Sequence, residues 1–90
     1  MNMKIKEGFV LREVAGQAVV IAVGEASKEF HGMINLNATG KLVWQGIEQG
    51  LTEAEIVGKL VDQYDVTADK AQVDVHRMIE KMSTAGVLAL

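Results

Sequence analysis

The chain has no cysteine and no proline, and its 90 residues include one tryptophan, one tyrosine and two phenylalanines. Without cysteine there is no disulfide frame, thiolate metal site, cysteine nucleophile or ligand set for an iron–sulfur cluster. A surplus of positive charge is also missing. The formal net charge of -3 gives no general attraction to nucleic acid or to an anionic membrane. The longest apolar run, Ala18 to Val23, is far too short to span a bilayer. The opening MNMKIKEGFV has basic residues but no apolar run of signal-peptide length before Arg12 and Glu13, so a cytoplasmic protein is expected. Reactive constellations are absent too: there is no serine–histidine–acid set, no H-E-x-x-H and no glycine-rich phosphate loop. The pairs Glu53/Glu55 and Asp62/Asp65 suit a helix start and a helix end, and His31 and His76 stand isolated, which argues against a metal site. The expectation is a protein that is not an enzyme and holds no cofactor or metal.

What is present is an ordinary folding composition, 49% hydrophobic and 23% charged, in a length that makes one modestly stable domain. The organising stretch is INLNATGKLVWQGIEQG, Ile34 to Gly50. It joins a sheet-like half to a helical half, and Trp44 is the natural centre of the core. Before it, Met1 to Lys6 is expected to be loose. Phe9 to Val14 and Ala18 to Val23 read as strands joined at Gly16, which supplies the positive φ of a tight hairpin. The second strand is apolar on both faces and therefore central. Gly24 to Lys28 reads as a polar connection. A third strand, from about Glu29 to Leu36, puts Phe30, Gly32, Ile34 and Leu36 on one face and His31, Met33 and Asn35 on the other. Gly32 in mid-strand marks either a bulge or a place where another backbone approaches.

After that joint the spacing turns helical. Asn37 caps a helix over about Ala38–Glu48, with Leu42, Val43, Trp44 and Ile47 as its apolar side and Gly50 at its end. Thr52-Glu53-Ala54-Glu55 is a capping box that opens a second helix to about Tyr64, burying Ile56, Leu60 and Val61. Gly58 costs this helix about 1 kcal/mol relative to alanine, and close helix packing is the expected reason for it. Thr67 caps a third helix over about Ala68–Thr84, with Ala71, Val75, Met78, Ile79 and Met82 on one face. Gly86 ends it, and Val87-Leu88 returns as a short extended tail. The expected fold is one α+β domain over residues 1–90: a three-stranded antiparallel sheet followed by a three-helix bundle, winged helix-turn-helix-like.

The ordered set Leu36-Asn37 … Trp44, Leu51-Thr52-Glu53-Ala54-Glu55-Ile56, Leu60, Tyr64-Asp65-Val66, Asp74-Val75 and Gly86-Val87-Leu88 resembles the PqqD-like family. These are the small pyrroloquinoline quinone biosynthesis D proteins and their relatives, the peptide recognition elements. Leu11-Arg12-Glu13-Val14 and the glycine turn before Val19-Val20 fit as well, so the resemblance covers about Phe9 to Leu90. It implies a non-catalytic accessory protein that captures the leader of a ribosomally made precursor peptide. Such a protein presents the leader to a modifying enzyme, often a radical S-adenosylmethionine enzyme. The resemblance implies that the leader adds as a strand to the edge of the third strand, beside the third helix. It points to the wider peptide-modification set rather than to the quinone pathway itself.

On this chain the strand platform would be Phe30, His31, Gly32, Met33 and Ile34. The helix wall would be Val73, His76, Arg77 and Glu80, on the face opposite the buried stripe. Bland readings exist for each: Val73 as a lone surface residue, Arg77 and Glu80 as an intrahelical pair, and Met33 as core if the strand phase slips by one. Gly40 and Gly46 depart from the family pattern, since better helix formers are expected there. Two rivals remain. One is a winged-helix DNA-binding regulator, opposed by the cancelling charges of Asp69, Asp74 and Glu80 against Lys70, Arg77 and Lys81. The other is a structural subunit, or a homodimer through the same strand edge. Neither nucleic acid nor membrane is an expected partner.

Overall fold

Alternation in the first third of the chain produces an antiparallel sheet, and the structure, a computed structural model, describes residues 3–29 and 33–89. Strand β1 is Lys4–Ile5, β2 is Phe9–Val14 and β3 is Gln17–Ala22. A four-residue helix α1, Ala26–Glu29, precedes strand β4, Met33–Leu36. Helices α2 (Ala38–Glu48), α3 (Glu53–Gln63) and α4 (Ala68–Ala85) follow, and β5 is Leu88–Ala89. The main sheet has the order β2-β3-β4, all antiparallel, and β1 pairs separately with β5. The doubly apolar strand is indeed the central one.

The β2–β3 hairpin closes Val14 onto Gln17, with Ala15 at φ 53° and Gly16 at φ 79°. Two successive positive φ values are the requirement of a two-residue turn matched to strand twist. Gly16 meets it freely, whereas Ala15 sits where an L side chain is strained.

Parity along the strands separates two faces. Phe9, Leu11, Ala18, Val20, Ile34 and Leu36 face the helices and join the core cluster. There they meet Val43, Trp44 and Ile47 of α2, Ile56 and Leu60 of α3, and Ala71, Val75 and Met82 of α4. Trp44 is 1% exposed, and it occupies the central place expected of it.

The three long helices begin where their caps dictate. The Asn37 Oδ1 accepts from the Gly40 N–H at 2.8 Å. At α3 the Thr52 Oγ1 accepts from the Glu55 N–H at 3.2 Å, and the Glu55 carboxylate accepts from the Thr52 N–H at 2.9 Å. The Thr67 hydroxyl accepts from the Lys70 N–H at 3.2 Å. Each cap satisfies amides that would otherwise be orphaned, which is worth about 1 kcal/mol. Gly86, at φ 81°, terminates α4.

Four expectations need correction. The helices number four among the described residues, because Gly24–Lys28 is not merely a polar connection. The Ser27 N–H donates to the Gly24 carbonyl at 3.1 Å and the Lys28 N–H to that of Glu25 at 3.1 Å, which winds the start of α1. Glu29, expected to open the third strand, belongs instead to α1, and the strand as described is Met33–Leu36. Within the stretch expected to be loose, residues 4–6 are held: β1 pairs with β5, and the Lys6 N–H donates to the Val87 carbonyl at 2.7 Å. Finally, the close helix approach lies at Gly46 and not at Gly58. A Cβ built on Gly46 would stand 2.7 Å from Ile56 Cγ1, whereas one on Gly58 meets nothing within 4 Å. Gly46 therefore has a packing reason, and Gly58 has none in this structure.

Candidate functional site

The hydrogen-bond parity of the sheet determines what its edge offers. The Val23 N–H donates to the Gly8 carbonyl at 2.7 Å, so Gly8 and Val23 form a hydrogen-bonded pair. Antiparallel ladders alternate bonded and non-bonded pairs. With the observed register, Val10/Ile21, Arg12/Val19 and Val14/Gln17 are then the bonded pairs of β2 and β3. The groups of Ala18 and Val20 turn the other way and take up Leu36 and Ile34 of β4. This leaves the N–H and C=O of Met33 and Asn35 pointing away from the sheet. Among the described residues no strand pairs with that side of β4. The strand carries no charge and no proline, the usual devices that block edge pairing.

Beside this edge runs a groove of about 330 Å³. Ile34, Leu36 and Asn37 form its strand side, Gly40 and Trp44 its floor, and Met78, Lys81, Met82 and Ala85 of α4 its helix side. The indole N–H of Trp44 is buried with no hydrogen-bond partner among the described residues. An unsatisfied buried donor costs about 1–3 kcal/mol. At the Asn37 end the groove continues into a hollow bounded by Thr39, Asp74 and Arg77. There Lys70 lies 3.7 Å from Asp74, while among the described residues neither Arg77 nor Lys81 has a carboxylate within ion-pair distance.

The residues read from sequence fall into three groups. Phe30, His31 and Gly32 lie outside the described residues. Met33, 63% exposed, and the half-buried Ile34 lie on β4 in the phase expected. Val73, His76, Arg77 and Glu80 share the opposite flank of α4, where with Glu53 of α3 they border a separate shallow depression. His76 Nε2 stands 2.8 Å from Glu80 Oε1, and its Nδ1 is 3.6 Å from Glu53 Oε1. Only Arg77 also borders the hollow beside β4. The structure therefore brings Ile34 together with Met78 and Lys81, and not with Val73, His76 or Glu80, while the Met33 side chain faces away from that groove.

The reason is angular. A helix turns about 100° per residue, so from the buried line through Val75 the Met78–Ala85–Lys81 shoulder lies roughly 60–120° to one side. His76 lies about as far to the other. A groove against a neighbouring strand forms at a shoulder, and the side diametrically opposite the core meets only water. The sequence signal for this shoulder is Met78, Lys81 and Ala85 at i, i+3 and i+7, next to the buried stripe.

Two carboxylates have lowered pKa values. Glu55 is held below the usual glutamate range by the backbone N–H of Thr52 and then by its hydroxyl. The hydrogen bond from Lys41, and then its charge, does the same for Glu13 and ties β2 to α2. Both are structural contacts outside the groove. No group of three or more His, Cys, Asp or Glu is placed to hold a metal ion among the described residues. Among them no helix is long and apolar enough to cross a membrane.

A family model described as Coenzyme PQQ synthesis protein D (PqqD) matches residues 17–88. The chain belongs to the PqqD family. Two solved structures share the fold over nearly all of their length. One is TbiB1 in complex with the TbiA(beta) leader peptide, 20% identical, covering 94% of this chain and 93% of that one with a TM-score of 0.77. The other is a lasso peptide synthetase B1 complexed with the leader peptide, 16% identical, covering 100% of both chains with a TM-score of 0.82. No curated protein matches the chain. The α+β architecture with a three-stranded antiparallel sheet is thus that of this PqqD-family chain and of two proteins solved with leader peptides.

Proposed function

We propose that this protein is a non-catalytic peptide-binding accessory protein. It captures the leader segment of a ribosomally synthesised precursor peptide by strand addition to β4 and presents it to a modifying enzyme, a radical S-adenosylmethionine enzyme being the partner type envisaged. The observation that carries this reading is the edge of β4, which no strand covers among the described residues, with the backbone groups of Met33 and Asn35 turned outward beside a largely apolar groove against α4. Strand addition draws affinity from main-chain hydrogen bonds and selectivity from the pockets that receive alternate side chains. The two structural relatives, each solved with a leader peptide, support the same reading, although fold alone does not establish function.

The wall of the site in this reading is Met78, Lys81 and Ala85 with Arg77 at one end, in place of Val73, His76 and Glu80. Duplex DNA recognition by a winged helix would need a cationic surplus on α4, and the acidic Asp69, Asp74 and Glu80 offset Lys70, Arg77 and Lys81 there. Pairing between two copies would use the same β4 edge and so would compete with the leader.

The test is an NMR titration of the labelled protein with the leader peptide encoded nearest to it in its genome. Shifts of Met33, Asn35, Met78, Lys81 and Ala85 amides at micromolar affinity or tighter are expected. Salt-sensitive shifts on α4 with duplex DNA, and none with neighbouring peptides, would replace this reading with a regulator.

A further inference from the structure

We infer that the groove selects an extended segment in which a carboxylate side chain stands two residues ahead of an apolar one. The inference rests on strand addition at β4 and adds a register and a charge to it. A strand entering antiparallel, as every neighbour in this sheet is, pairs its main chain with the outward groups of Met33 and Asn35. Its residues opposite Ile34 and Leu36 then point to the same side as those two side chains, toward the helices. The side chain opposite Ile34 enters the apolar part of the groove, over Trp44 and between Met78 and Met82.

The side chain opposite Leu36 arrives at the other end, where Asn37 and Gly40 meet Lys81, with Arg77 one turn away. Because the two strands run in opposite directions, the residue opposite Leu36 comes first in the incoming segment. The charges at that end choose its chemistry. Asp74 already faces Lys70, whereas Arg77 and Lys81 sit at i and i+4 on one shoulder with no carboxylate within ion-pair distance among the described residues. Two cations without an ion pair, against the single carboxylate of Asp74 that Lys70 already engages in the same hollow, leave a cationic surplus that favours an anionic side chain and opposes a cationic one.

The test uses three terminally blocked synthetic octapeptides, each with one leucine in a polar, extended background. The first has Asp two residues before the leucine, the second Asp two residues after it, and the third Lys two residues before it. Affinities come from calorimetry, and edge engagement from the amide shifts of Met33 and Asn35. The first peptide is expected to bind about three- to tenfold more tightly than either of the others, with the gap narrowing as salt rises. In an Arg77→Glu/Lys81→Glu variant, whose substitutions are both on the surface, the lysine peptide is expected to become the preferred one. Equal affinities with the edge amides shifting, or a preference unchanged in the variant, would overturn the charge selection and leave strand addition standing. If none of the peptides moves the Met33 and Asn35 amides, both the inference and the reading beneath it are overturned.

Discussion

The two flanks of α4 both mix apolar and charged residues and differ in how far their polar groups are paired. On the β4 side, Met78, Lys81 and Ala85 look across a groove at a strand edge that no strand covers among the described residues. On the α3 side, His76 is flanked by Glu80 at 2.8 Å and Glu53 at 3.6 Å. One shoulder has polar groups waiting for partners, and the other has found them within the chain. The contrast teaches that a candidate site on a helix is better located by unmet hydrogen-bonding and charge demand than by exposure alone. Val73, 54% exposed, stands out as an apolar surface residue, yet the depression it borders is lined by helix residues among those described.

The strongest way to break this contrast is with proline on β4. Ile34→Pro removes an N–H that bonds to β3 and should cost about 3 kcal/mol or more in a denaturant titration. Asn35→Pro removes only an outward N–H, which edge strands tolerate. It should keep the fold by circular dichroism while weakening leader-peptide binding at least about tenfold, the scale of a lost charge-free hydrogen bond plus a blocked edge. If both variants fold and bind alike, the parity derived for β4 is wrong.

A smaller effect separates the flanks directly. Val73→Ser, His76→Ala and Glu80→Gln should each change stability by no more than about 0.5 kcal/mol, as surface substitutions do. Leader affinity should move by less than about twofold in each. A large loss of affinity in any of them would return the binding wall to the α3 side.

The smallest effect concerns pH. The lowered pKa of Glu55 means that its contribution is fully present above the unfolded value and disappears as pH falls through the folded one. Glu13 behaves in the same sense through Lys41, so the parent protein should lose thermal stability on acidification through and below the ordinary glutamate range. Glu55→Gln keeps an acceptor for the Thr52 N–H and should flatten part of that slope without changing peptide binding. A slope identical to the parent's would show that the capping box does not titrate as its hydrogen bonds imply.

Legibility in the sequence followed the range of the interactions. Asn37, Thr52 with Glu55, and Thr67 announce their helices because each cap is a contact between residues three apart. The central position of β3 was readable because being apolar on both faces is a property of one strand. The four-residue α1 has too few positions to show a period. The β1–β5 pair joins two residues at each end of the chain, and no local pattern encodes such a contact. Gly46 and Gly58 look alike in sequence, and only the arrival of Ile56 distinguishes them. The candidate site divided along the same line. Its strand half follows from alternation, whereas its helix half depends on which shoulder of α4 the sheet occupies. That is decided by how the helices pack, and α4 alone does not reveal it.

The most direct measurement is amide hydrogen exchange of the protein with and without saturating leader peptide, read residue by residue. Strand addition predicts that the Met33 and Asn35 amides, which face away from β3 in the free protein, become protected on binding, while those of Ile34 and Leu36 are already protected by β3. Unchanged exchange at Met33 and Asn35, with new protection confined to the Val73–Glu80 flank of α4, would contradict it.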